Sequence, residues 1–287
     1  MDSWLSDLRF AFRALLARPG FSTLAVLTLA IGIGVNAVAF SALNALLFKP
    51  LRFPGVEALG WIMTRSPGNP YGLTSWPDYE DLARTARTFE SVAAEGRMPL
   101  GLHDIHGGTS TRQVWALAVS GNYLSTLGAT TEIGRIFTDA DRSTSEIPAV
   151  VSSRFWSGHL GGGDSVAGRT LTLNGRLVSI VGVVRDGFQG PGGLYEPDVW
   201  MPLDRMQDLN LPARRLDRSE AWLTVVGRMS PGVSAAQAAV DLQSVAAALA
   251  ADHPTTNKQR SLAFAPMVDG NPEVRSLAPI GWIALAI

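Results

Sequence analysis

Cysteine is missing from this chain altogether, which excludes a disulfide framework and thiolate metal sites and is compatible with an oxidising compartment. Charge is scarce as well. Charged residues make up 17% of the sequence and the formal net charge is −1, so there is neither a basic field for nucleic acid nor an acidic tail. No G-x-x-x-x-G-K-[ST] stretch occurs, and any ATP chemistry must come from a partner. Histidine is rare, with 4 in 287 residues. His103-Asp104-Ile105-His106 offers ligand types, but Gly107-Gly108 follows at once, which reads as a polar loop rather than a zinc set.

The remaining site-like patterns are incomplete. Gly163-Asp164-Ser165 lacks the second glycine of a nucleophile elbow at the required position, since it falls at Gly168, and reads as a turn. Asp139-x-Asp141-x-Ser143 begins like a calcium loop, then places Thr144 where glycine is needed and Val150 where a carboxylate is needed. Trp61, Trp76, Trp115, Trp156, Trp200 and Trp222 are spread over different elements, which suits core anchors rather than a ligand cage. No catalytic, cofactor-binding or metal-binding residue is expected.

What the sequence does have is a long uncharged run, Pro19–Phe48. A helix needs ~20 predominantly apolar residues to cross the hydrocarbon core. Pro19 suits the first helical turn and Pro50 a stop. A cleaved signal peptide would have a shorter apolar region. Gly32-x-Gly34-x-x-Ala37 imitates a dinucleotide fingerprint but has no strand before it and no turn around it. Gly32, Gly34, Asn36 and Asn44 instead read as packing residues of a transmembrane helix. Residues 2–18 place Trp4, Leu5, Leu8, Phe12, Leu15 and Leu16 at helical spacing, as in an amphipathic helix lying in the membrane interface. Arg9, Arg13 and Arg18 before the span balance Lys49, Arg52 and Arg65 after it, so charge leaves the orientation open.

From Leu51 onward the composition is that of a globular domain. Leu59–Met63 reads as a strand. Ser75 caps a helix with Pro77 early and Leu82 and Phe89 on its apolar face. Trp222–Met229 reads as a strand, Ser234 caps an alanine-rich helix to about Asp252, and Leu262–Val268 reads as a strand again. Two strand–helix units therefore flank a long insertion. Within it, Gln113–Val119 and Ala149–Ser152 read as strands and Gly121–Leu127 as a short helix ending at Gly128. A helical turn runs through Arg154, Phe155 and Trp156. Thr170–Val184 alternates around Asn174-Gly175, the signature of a tight hairpin. Leu277–Ile287 is an apolar run ending with the sequence, and reads as the start of a second span in a fragment of a longer protein.

The expected fold class is thus membrane-anchored α+β. It divides into an interfacial helix over 1–18, a transmembrane helix over 19–49, a core domain over 51–275 and the start of a second span over 277–287. Within the core domain, a split α+β part covers 51–91 and 219–275, and a β-rich insertion covers 92–218.

The order of motifs resembles the MacB/FtsX-like ABC transporter permeases, in particular the duplicated permeases of acidobacterial type. The stretches that carry the resemblance are Asp7–Phe21, Leu27–Asn36, Phe48–Leu51, Ser75–Phe89, Val119–Leu124, Ile133–Phe137, Val166–Gly175, Asp198–Leu203 and Gly227–Gly232. The resemblance implies an N-terminus in the cytoplasm, a first span through the bacterial inner membrane and a periplasmic core domain with a porter-like part. It further implies an ABC ATPase subunit that binds the ATP, a second permease copy, and a periplasmic adaptor or substrate protein as partners, in export or efflux. It implies no enzymatic activity and no cofactor of the chain's own. The alternative is a single-span, membrane-tethered binding or sensor module.

Overall fold

The computed structural model describes residues 10, 13, 16–48, 54–103, 110–143, 145–188, 190, 191, 197–209, 217–272 and 276. The chain divides into two compact units, one holding the N-terminal helix and the other running Pro50–Glu273. The first contains α1 (Pro19–Phe48), an unbroken helix. Its stretch Pro19–Val38 has a mean hydropathy of 1.9, and 0% of it is buried. The proposed interfacial helix over 1–18 and the apolar run over 277–287 lie largely or wholly outside the described residues.

The second unit begins with β1 (Leu59–Ser66), followed by β2 (Asn69–Gly72), β3 (Thr74–Ser75) and α2 (Trp76–Thr85). The cap is as the sequence suggests: the Ser75 hydroxyl accepts from the Asp78 N–H at 3.3 Å, and Pro77 occupies the first turn. The helix stops at Thr85, however. Phe89, expected on its apolar face, instead opens β4 (Phe89–His103), pairs with Met229 and packs its ring 5.6 Å from that of Phe264. After the insertion come β11 (Ala221–Met229), then α5 (Ala235–Asp252), the short α6 (Pro254–Asn257) and β12 (Ser261–Pro266). Ser234 and Gln237 form a reciprocal capping box at the start of α5.

The sheet order β12-β1-β11-β4 is antiparallel throughout. With α2 after β1 and α5 after β11, this is a split β-α-β arrangement of ferredoxin-like topology, opened between its second and third strands by the insertion. Ala238, Leu242, Val245, Ala246 and Leu249 line the buried side of α5 at helical spacing. With Trp76, Tyr79 and Leu82 of α2 they cover Ile62, Val92 and Val225 of the sheet.

The insertion comprises β5 (Thr111–Val119), α3 (Tyr123–Thr126), β6 (Thr131–Gly134), β7 (Ile147–Ser152), α4 (Ser153–His159), β8 (Thr170–Leu173), β9 (Arg176–Val184) and β10 (Val199–Pro202). β4 pairs antiparallel with β5, β5 parallel with β10, β10 antiparallel with β7, and β7 parallel with β9. The β8–β9 hairpin then returns to β4 through Leu102↔Leu173, which closes a small barrel. Asn174 (φ 48) and Gly175 (φ 78) form the hairpin turn, the left-handed pair that a type I′ turn requires.

β4 belongs to both parts. Up to Glu95 it pairs with β11, and from Glu95 onward with β5. The expected boundary between 91 and 92 therefore falls inside one strand. Two apolar clusters run across this junction. One joins the helix-covered sheet face to the barrel interior, including Met98, Leu100 and Leu171. The other packs Trp61, Ala93 and Val226 against Tyr123, Leu124 and Leu127 around α3, together with Trp200. Trp61, Trp76, Trp156 and Trp200 are buried as core anchors, whereas Trp115 is 38% exposed.

Candidate functional site

The residues singled out from the sequence all lie on α1. A side strip of this helix is lined by Phe21, Leu24, Ala25, Thr28, Leu29, Gly32, Ile33 and Asn36. Thr28 turns its hydroxyl back to the Leu24 carbonyl at 2.8 Å, which satisfies that hydroxyl within the helix. Gly32 and Asn36 share the strip at one-turn spacing. Gly34 is about 200° around the helix from Gly32 and is not part of it. An added Cβ at Gly32 or Gly34 meets nothing within 4 Å. Asn44 lies on the helical backbone, and its side chain is outside the described residues.

In the second unit the chemistry-bearing side chains form structural clusters that sequence reading did not find. The largest gathers around Asp78, which is 4% exposed. Its carboxylate accepts from Arg218, from Asn257 Nδ2 at 2.7 Å and from Arg260 at 3.3 Å. Arg218 also reaches Asp81 at 2.8 Å. The group thus ties α2, from the first half of the fold, to the end of the insertion and to the α6–β12 segment. Asp78 was visible only as an acid in a first helical turn, and its basic partners lie far along the chain.

A second staple joins the same two halves. Asp241 Oδ2 on α5 accepts from Arg87 N at 2.7 Å, Thr88 N at 2.9 Å and Thr88 Oγ1 at 2.8 Å. Partial burial pushes the Asp241 carboxyl upward, but these donors outweigh it and hold it below its ordinary value. In the insertion, Asp141 takes both Arg135 guanidinium nitrogens, at 2.7 and 2.8 Å. That hydrogen-bonded pair holds Asp141 low. This is what the calcium-like Asp139–Ser143 segment does: it is a 3-10 turn closed on an arginine.

Glu95 is different. It is 1% exposed, sits at the β4 crossover and accepts from the Tyr123 hydroxyl. Its Oε1 has no hydrogen-bond donor, and the nearest cation is Arg97 at 3.7 Å. Burial raises the Glu95 carboxyl above its ordinary value, more than Tyr123 and Arg97 lower it. Burial and the neighbouring carboxylate likewise push the Tyr123 hydroxyl up.

The elbow-like Gly163-Asp164-Ser165 is a turn. The Gly163 carbonyl accepts from Trp156 Nε1 at 3.1 Å, and Ser165 Oγ accepts from Ala167 N at 3.1 Å. His103 ends β4, and residues 104–109 lie outside the described residues. Among the described residues no group of three or more His, Cys, Asp or Glu side chains is placed to hold a metal ion.

Comparison with known proteins gives this architecture its family. The model of the MacB-like periplasmic core domain matches residues 22–245, and the chain belongs to that family. Solved structures with the same fold include a permease-protein domain from Porphyromonas gingivalis, with a TM-score of 0.58, 15% identity, and coverage of 75% of this chain and 92% of that one. The periplasmic region of MacB from Actinobacillus actinomycetemcomitans gives a TM-score of 0.53 at 13% identity, covering 78% and 92%. The extracellular domain of the noncanonic ABC-type transporter YknZ from Gram-positive bacteria gives 0.51 at 16% identity, covering 71% and 98%. The comparison with curated proteins returned no match. An apolar N-terminal helix followed by a mixed α/β domain of MacB type marks the chain as an ABC transporter permease component.

Proposed function

We propose that the chain is the N-terminal part of a permease subunit that carries ATP-driven motion of a partner ATPase to a periplasmic domain, for export or efflux. In this reading α1 spans the bacterial inner membrane, the N-terminus is cytoplasmic and residues 51–275 are periplasmic. A second permease copy, homo- or heterodimeric, stands beside it, and a periplasmic adaptor or substrate protein meets the outer domain. The subunit does no chemistry of its own.

One observation carries the reading: both apolar clusters run through the junction of the ferredoxin-like part and the barrel. A close-packed core moves as a piece, so a displacement applied to the sheet is delivered to the barrel without loss in an internal hinge. A tethered sensor has no need of that stiffness.

Residues 1–287 contain no cysteine, so a single introduced thiol reports on its own position within them. Gly158→Cys, at an open position on α4, is expected to react with a membrane-impermeant maleimide in cells with a permeabilised outer membrane. Spin labels at that position in the full-length subunit pair should change separation when the co-purified ATPase turns over. Labelling only after lysis would overturn the orientation, and unchanged separations would favour the tethered module. For the span, Gly32→Leu on the Asn36 strip should weaken crosslinking between membrane helices. A comparison with Gly34→Leu tells which side of α1 is packed.

A further inference from the structure

We infer that the ferredoxin-like part holds a single buried water molecule between its two halves, bound by Asn257, the Thr64–Thr74 hydroxyl pair and Asp78. The inference starts from a mismatch of donors and acceptors. Asn257 is 3% exposed. Its Nδ2 donates to Asp78 Oδ1 at 2.7 Å, which fixes the orientation of the amide, because a carboxylate cannot accept from the amide oxygen. The amide oxygen Oδ1 is then buried with no hydrogen-bond partner. Across from it, Thr64 Oγ1 and Thr74 Oγ1 lie 2.9 Å apart, with the residues 7% and 1% exposed. Two hydroxyls bring two hydrogens, and the contact between them uses one. The other is left to donate.

The residues that carry the two unmatched groups line the same space. A cavity of about 10 Å³ is lined by Thr64, Thr74, Asp78, Asn257 and Arg260, with Leu249 among its apolar walls. That volume is at the lower limit for one water, and a buried water typically needs two to four polar partners. A water here accepts the spare threonine hydrogen and donates to Asn257 Oδ1. Its second hydrogen is directed to the Asp78 carboxylate.

Charge decides against a cation, although the oxygens alone would suit one. Asp78 already meets Arg218 and Arg260, and Asp81 meets Arg218 and the exposed Arg84, so three arginines face two carboxylates. The cluster has no excess negative charge for a further cation to balance. A neutral ligand with both donor and acceptor capacity fits, and the volume limits it to water. The water would link β1 and β3 of the first half to α6 of the second, which extends the Asp78 staple through the core.

The test is an experimental structure of the full chain at a resolution that shows ordered solvent, together with Thr74→Val, which keeps the shape and removes a hydroxyl. One solvent peak is expected about 2.7–3.2 Å from Asn257 Oδ1 and from a threonine oxygen. In Thr74→Val the peak should weaken or vanish, and the thermal midpoint should fall by about 2–4 °C. A dry cavity in the wild-type chain would overturn the inference. So would a peak at metal–oxygen distances that survives Thr74→Val.

Discussion

The ferredoxin-like part and the barrel solve the problem of closure in opposite ways. The first is assembled from segments far apart in the sequence, and polar staples hold its halves together: Asp78 with Arg218, Arg260 and Asn257, and Asp241 with the Arg87–Thr88 backbone. The barrel closes by strand pairing over an apolar interior, with a hairpin that returns to β4 through Leu102↔Leu173. The Arg154–Asp198 pair of this part, at 3.3 Å, keeps its arginine largely exposed. A long insertion separates the halves of the host fold, and these charged contacts bridge them directly.

Asp78→Ala is the hardest blow to this contrast. It leaves two partly buried arginines without their shared carboxylate and is expected to cost about 3–5 kcal/mol in denaturant unfolding of the full chain. Hydrogen exchange should accelerate in β12 and α6 while the barrel strands keep their protection. Equal acceleration in both parts would show that they unfold as one cooperative body. Asp241→Ala comes next, at about 2 kcal/mol for three lost charge-assisted bonds, with the largest exchange change at the start of β4.

Glu95 tests the seam between the two parts. Its folded-state pKa is raised, so the folded chain keeps a proton that the unfolded chain has already released. The stability tied to that proton is fully present below the ordinary carboxylate value and is lost as pH rises through the raised one. Asp141 and Asp241 are lowered and act in reverse: their contribution is present above the ordinary value and is lost as pH falls through the lowered one. Glu95→Gln should therefore be close to neutral in acid and stabilising at neutral pH, by about 1 kcal/mol or more. It should also flatten the neutral limb of the stability–pH profile, and a variant that keeps the wild-type profile would remove Glu95 as its source. The smallest effect belongs to the hairpin. Gly175→Ala meets no neighbour and is expected to lose only the left-handed backbone preference, about 1 kcal/mol, read as a small shift in the thermal midpoint.

Local signals were legible and non-local ones were not. The Asn174-Gly175 hairpin, the Ser75 and Ser234 caps, the Gly128 stop and the uncharged run of α1 depend on a few adjacent residues, and each stands where the sequence puts it. β4 was invisible, although its 15 residues make it the longest of the described strands. Its sequence carries Glu95, Gly96, Pro99 and Gly101, residues depleted in strands, and distant neighbours account for them. A Cβ at Gly96 would stand 2.1 Å from the Trp222 ring. Pro99 lies opposite Trp115, where β4 pairs on one side and the missing N–H goes unneeded. Glu95 carries a carboxyl and yet is buried beside Tyr123 of α3 at the crossover. The cluster around Asp78 escaped for the same reason, since an acid that meets arginines 140 and 182 residues along the chain looks like any other solvated acid.

The single continuous run of β4 has a mechanical meaning. Ladder hydrogen bonds stand perpendicular to the strands they join. A pull along β4 therefore loads its bonds to β11 and to β5 side by side, in shear, rather than opening them one after another as a zipper would. Tension entering at Phe89 reaches His103 through one covalent path braced by a different neighbour on each half, and the place where the bracing changes hands is Glu95.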